Sequence, residues 1–113
     1  MAGGHDQLWK DLIQAFPADF VRLASPDLAS RLALGRIEFQ PAEAPSDAPR
    51  SKERRLDLIS RVKSKVGERG LLHVEIELQF RTTTAARLLA YNRLLALRFE
   101  LPVQTFVLYL HGG

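Results

Sequence analysis

Three acidic residues carry the clearest chemistry in the chain. Glu75 and Glu77 stand in LLHVEIELQF, where Leu72, Val74, Ile76, Leu78 and Phe80 alternate with His73, Glu75, Glu77 and Gln79. That alternation marks a β-strand, with Glu75 and Glu77 on one face about 6–7 Å apart along it. Asp57 lies in RRLDLIS, near the start of a second segment of strand character. If the turn at Val66–Gly70 joins the two segments as a hairpin, three carboxylates can converge at one place. Left unneutralised, they would repel and raise one another's pKa. A hard divalent cation, Mg2+ or Mn2+, removes that conflict by taking a few carboxylate oxygens and several waters. A water bound in this way is a better nucleophile for a phosphodiester. The plain alternative is a solvated strand face, with Arg61 or Lys63 as cross-strand partners.

The elements that must position these residues are legible in outline. Asp6 is placed to cap a first helix whose apolar positions, Trp9, Leu12, Ile13, Phe16, Phe20 and Leu23, keep helical spacing. Pro17 falls inside that run and predicts a kink or a break into two helices. Ser25-Pro26 is a cap followed by proline at the first helical position, with Gly35 as the expected end of that short helix. Arg36 to Gln40 alternates around Ile37 and Phe39 as a short strand. Residues 41–53 hold three prolines and no large apolar side chain, which predicts a flexible loop outside the core. Two longer strands follow, roughly Arg54 to Val66 and Leu71 to Phe80. Thr82 to Thr84 can cap a helix from about Ala85 to Phe99, whose broad leucine-rich face predicts close packing on the sheet. Pro102 then opens an apolar strand, Val103 to Leu110, of the kind buried on both faces. A meander followed by a helical crossover implies a mixed four-stranded sheet in a single α/β domain spanning residues 1–113.

Composition narrows the function classes. The chain has 113 residues, enough for one modest core, and no cysteine, which rules out disulfides and thiolate metal sites. His5, His73 and His111 do not form a zinc pattern. His73 reads as a packed or edge histidine, and Trp9 as a core residue. No secretory leader or membrane-length apolar run is present, so the expected location is the cytoplasm, with no membrane partner. A net charge of +3 and a pI near 9.7 suit a polyanionic partner without demanding one.

Taken in order, HDQLWKDLIQAF, RRLDLISRV, LLHVEIELQ, ARLLAYNRLLALRFELPV and VLYLHGG resemble the PD-(D/E)XK nuclease superfamily. More closely, they resemble the bacterial family of recombination-promoting nucleases and transposase-like proteins. The resemblance covers nearly the whole chain, and it implies an αβββαβ, restriction-endonuclease-like core. It also implies that Asp57 is the metal-binding aspartate, Glu75 the second metal ligand, and Asp11 a supporting acidic residue on the first helix. Glu77 occupies the position where the superfamily has lysine and this family more often glutamine. A glutamate cannot neutralise a phosphate there; it suits a general base or a further ligand, or else marks an inactive site. Lys63 lies on the strand face of Asp57 and could reach in for the missing lysine, or simply be solvated. Arg87 and Tyr91 fall where superfamily members often place a polar pair. Arg81, Arg87, Arg93 and Arg98 are candidate phosphate contacts, or a solvated rim. Relatives usually continue past the last strand, so this chain reads as a shortened member, with one sheet face left for a partner or a homodimer mate.

The expected function is a Mg2+-dependent DNA endonuclease linked to mobile-element recombination. Its catalytic residues would be Asp57, Glu75 and Glu77, its metal ligands Asp57, Glu75 and Asp11, and its DNA contacts Arg87, Arg81 and Lys63. The alternatives are a catalytically inactive relative that binds DNA or protein, and a purely structural oligomerising module.

Overall fold

The computed structural model describes residues 3–42, 57–77 and 83–110. Three helices come first: α1 (Gly3–Ala15), α2 (Pro17–Ala24) and α3 (Pro26–Arg31). Pro17 divides the first two, as its missing N–H and ring sterics require. Ser25 caps α3, its Oγ accepting from the Leu28 N–H at 3.2 Å, and Pro26 takes the first helical position. Because α1 already begins at Gly3, position 6 falls within its first turn and not at its cap.

The end of α3 departs from the expectation at Gly35. The helix stops at Arg31, because Leu32 is drawn into an extended conformation and bridges Ser64. Ala33 N–H donates to the Lys63 carbonyl and Lys65 N–H to the Arg31 carbonyl, both within 2.9 Å. Pairing with a distant hairpin therefore ends the helix, and Gly35 lies in a 3-10 turn, Leu34–Arg36. The first strand also shifts, since β1 is Gln40–Ala42 and not residues 36–40. The Ser60 hydroxyl satisfies the Glu38 N–H at 3.0 Å, so that group takes no part in a ladder. Pro41 sits within β1, which is an edge strand and so tolerates a missing donor. The remainder of the expected loop, 43–53, lies outside the described residues.

The hairpin forms from β2 (Asp57–Lys63) and β3 (Arg69–Glu77). Its turn, residues 64–68, comes earlier than the sequence suggests: the Ser64 N–H donates to the Glu68 carbonyl and Gly67 takes a positive φ of 93°. Helix α4 (Thr84–Phe99) crosses over to β4 (Val103–Tyr109). The sheet order is β1-β2-β3-β4, antiparallel except for the parallel pair β3–β4. The described residues thus form an α/β domain with four α-helices and a mixed four-stranded sheet, the sheet that the meander and crossover predict.

One face of this sheet holds the main core. Leu58, Leu72, Val74 and Ile76 pack with Ile13, Val21, Ala29, Ile37 and Phe39 beneath α1–α3, and Trp9 is partly buried against them. Phe20 of α2 meets Phe39 and Phe106 edge-on, with ring centroids 6.1 and 6.2 Å away. Two expectations fail on the other side. Helix α4 buries only a narrow stripe, Thr84, Arg87, Tyr91 and Leu95, and leaves Leu89 and Leu97 53% and 76% exposed. Strand β4 is half-buried along most of its length and not enclosed on both faces, because it forms the sheet's edge.

Candidate functional site

Register sets out the acidic positions. Position 57 of β2 is directly opposite Glu75 of β3, and directly opposed positions of an antiparallel pair share a face. Glu77 is two residues further along that face, at the end of β3. The parallel pairing of β3 with β4 and the crossover through α4 put both glutamates at the carboxyl end of parallel strands. That is where open α/β sheets tend to form ligand crevices. The side chain of Asp57 lies outside the described ones.

Glu75 and Glu77 do not form a solvated face. They are 0% and 6% exposed, and neither Arg61 nor Lys63 is their cross-strand partner. Arg61 pairs in register with Leu71 and Lys63 with Arg69. The cation that meets the glutamates comes from α4. Arg87 donates through Nη2 to Oε1 of Glu75 at 2.8 Å and to Oε1 of Glu77, and is itself buried. Charge-assisted bonds of this kind offset a desolvation that neither carboxylate could sustain alone.

A second polar group lies further down the same face. The buried His73 Nδ1 is 3.2 Å from the Thr105 hydroxyl, which also accepts from Asn92 Nδ2 at 3.0 Å. Asn92 gives its other proton to the Val103 carbonyl, tying α4 to β4. His73 is therefore a packed histidine, as its position suggests. The inner surface of α4 is thus partly polar, with Arg87 and Asn92 bonded to the sheet and Tyr91 buried between them in sequence.

The remaining candidates are dispersed. Asp11 is exposed on α1, whose buried side packs on the opposite sheet face from Glu75, and its carboxylate accepts from Gln7 Nε2 at 2.8 Å. Lys63 is exposed near the hairpin turn. Arg93 and Arg98 are exposed on α4, and Arg81 lies outside the described residues. Among the described residues, no three His, Asp or Glu side chains are grouped so as to hold a metal ion. Sequence reasoning missed the role of Arg87 as the glutamates' partner. Helical spacing puts Thr84, Arg87, Tyr91 and Leu95 on one stripe, but only the packing of α4 shows that this stripe is the one that faces inward.

No protein-family model, curated protein or solved structure matches this chain.

Proposed function

We propose that the chain is a Mg2+-dependent endonuclease of the PD-(D/E)XK type, hydrolysing DNA phosphodiester bonds at Asp57, Glu75 and Glu77. The observation that carries this reading is the register of the hairpin: position 57 opposes Glu75, and Glu77 follows on the same face at the end of β3. The donor set suits the ion, because carboxylate oxygens are the hard ligands Mg2+ prefers and no soft donor competes. Against three acidic positions Arg87 supplies one positive charge, and a divalent cation would bring that balance close to neutral. Asp57 and Glu75 would hold the ion, and when bound it would supply an activated water and screen the phosphate charge.

The chain's own residues have separate tasks. Arg87 fixes the rotamers of Glu75 and Glu77 and holds both on one side of the sheet before any ligand arrives. Glu77 is the candidate base, oriented by that guanidinium towards the face it shares with Glu75. The link to mobile-element recombination and a cytoplasmic location rest on the resemblance and on composition. Among the described residues no helix is long and apolar enough to cross a membrane. Cleavage of plasmid and linear DNA with Mg2+, Mn2+ or EDTA tests the proposal. Metal-dependent cleavage that disappears in Asp57→Ala supports it, and metal-independent cleavage or none overturns it.

A second reading is favoured by one observation: Glu75 is fully enclosed and bonded to Arg87. On that reading the acidic pair is a structural ion pair, and the protein is an inactive nuclease-fold module that binds DNA or a protein. Salt-dependent DNA binding without cleavage under any divalent metal would select it.

A further inference from the structure

The sheet face that carries the glutamates ends, near the hairpin turn, in cations. Arg61 and Lys63 lie two residues apart on β2, and Arg69 at the start of β3 is in direct register with Lys63. All three share one face and are exposed. Like charges directly opposed across an antiparallel pair destabilise it. Phe99, the last residue of α4, joins a fourth cation to the group. The Arg61 guanidinium carbon is 5.3 Å from its ring centroid, and that of Arg98 is 5.9 Å away. One aromatic ring therefore gathers two guanidiniums of like charge. The carbonyl end of α4 gives Arg98 a local reason to be there, but it does not account for Lys63 facing Arg69. Glu68 and Glu100 adjoin the cluster in sequence. Among the described residues, no carboxylate forms an ion pair with Arg61, Lys63, Arg69 or Arg98.

We infer that Arg61, Lys63, Arg69 and Arg98 form a surface that binds the sugar-phosphate backbone of DNA. This deepens the nuclease reading by naming where the nucleic acid is held, yet it can fail independently of cleavage. Duplex DNA carries one charge per about 1.7 Å of axis, so several phosphates can meet such a cluster at once and relieve its repulsion. Lipid is the weaker match. Surface-seeking segments pair their cations with a row of exposed apolar anchors, whereas among the described residues only Val66 and Leu97 are large, well-exposed apolar side chains adjoining the cluster in sequence, and the Phe99 ring lies against guanidiniums.

The test is fluorescence anisotropy of a short labelled DNA duplex with the full chain in EDTA, titrated across salt concentrations. Arg61→Gln/Lys63→Gln/Arg69→Gln should weaken binding about tenfold or more at low salt. It should also lower the slope of log affinity against log salt by about 2–3, near 0.9 for each phosphate that the variant no longer neutralises. The charge-matched control Arg22→Gln/Arg31→Gln/Arg36→Gln should leave that slope within about 1 of wild type. Thermal melting checks the fold of each variant. If the triple variant misfolds, Lys63→Gln and Arg98→Gln alone should each lower the slope by about 1. Equal losses in the patch and control variants, an unchanged slope in the patch variant, or no duplex binding by wild type would each overturn the inference. So would tighter wild-type binding to phosphatidylserine vesicles than to the duplex. Intact, patch-dependent binding without cleavage would leave this inference standing and overturn the nuclease reading alone.

Discussion

A guanidinium between two carboxylates in a closed environment is a demanding arrangement, and it dominates the residue scale. Removing one partner leaves charge buried without compensation, a change that typically costs about 3–5 kcal/mol. Arg87→Ala should therefore lower stability by about that amount in urea denaturation, because Glu75 is fully enclosed. Arg87→Lys should recover only part of the loss, since the lysine side chain is one bond shorter and its ammonium falls short of the place where Nη2 meets both glutamates. Glu77 separates function from packing. Glu77→Gln keeps an oxygen that can accept from Arg87, so the fold should survive, while a working base predicts a fall in cleavage of roughly a hundredfold or more. Glu77→Lys would set an ammonium against Arg87, and its melting temperature should fall well below that of Glu77→Gln. A Glu77→Lys variant at least as stable as Glu77→Gln would contradict the observed pairing. From sequence, the shared face of Glu75 and Glu77 was legible through strand alternation. Their partner was not, because alternation gives the face of a residue but not what covers that face.

Element boundaries followed the same division. Where a boundary depends on local chemistry, as at Pro17 or Ser25-Pro26, it lies where the residues put it. Ser25→Ala should cost about 1 kcal/mol through the missing cap, read from the denaturation midpoint at an unchanged slope. Where a boundary depends on a distant strand, local signals fail: α3 ends at Arg31 because Leu32 and Ala33 bond to the hairpin, not because Gly35 follows. Helix α4 shows the same effect in its faces. Its leucines are too many for the sequence to say which of them face inward, and the structure selects Leu95, 3% exposed, over Leu97. Leu95→Ala should cost about 2–5 kcal/mol, whereas Leu97→Ala should stay within about 0.5 kcal/mol of wild type.

On the scale of the whole molecule, the sheet separates two unlike layers. One face is an apolar core under three helices, and the other a polar layer beneath α4 that runs from Glu77 through His73 towards exposed cations. If the acidic end of that layer takes a metal, binding should stabilise the folded state by mass action, about 2.7 kcal/mol at a hundredfold excess over Kd. Mn2+ or Mg2+ should therefore raise the melting temperature of wild type and leave Asp57→Ala unmoved, with Zn2+ showing no preference. An equal rise in the mutant would place the ion elsewhere. The sequence by itself determined the α/β class, the mixed sheet, the hairpin and the common face of Glu75 and Glu77, because hydrophobic period, proline and cap chemistry act within a few residues. Only the tertiary structure decided that β4 is an edge and that Arg87 closes over the glutamates. Only it brought Arg61 and Arg98 together at Phe99. Those outcomes depend on which segments pair and pack across long stretches of chain, and no local pattern of residue types encodes that choice.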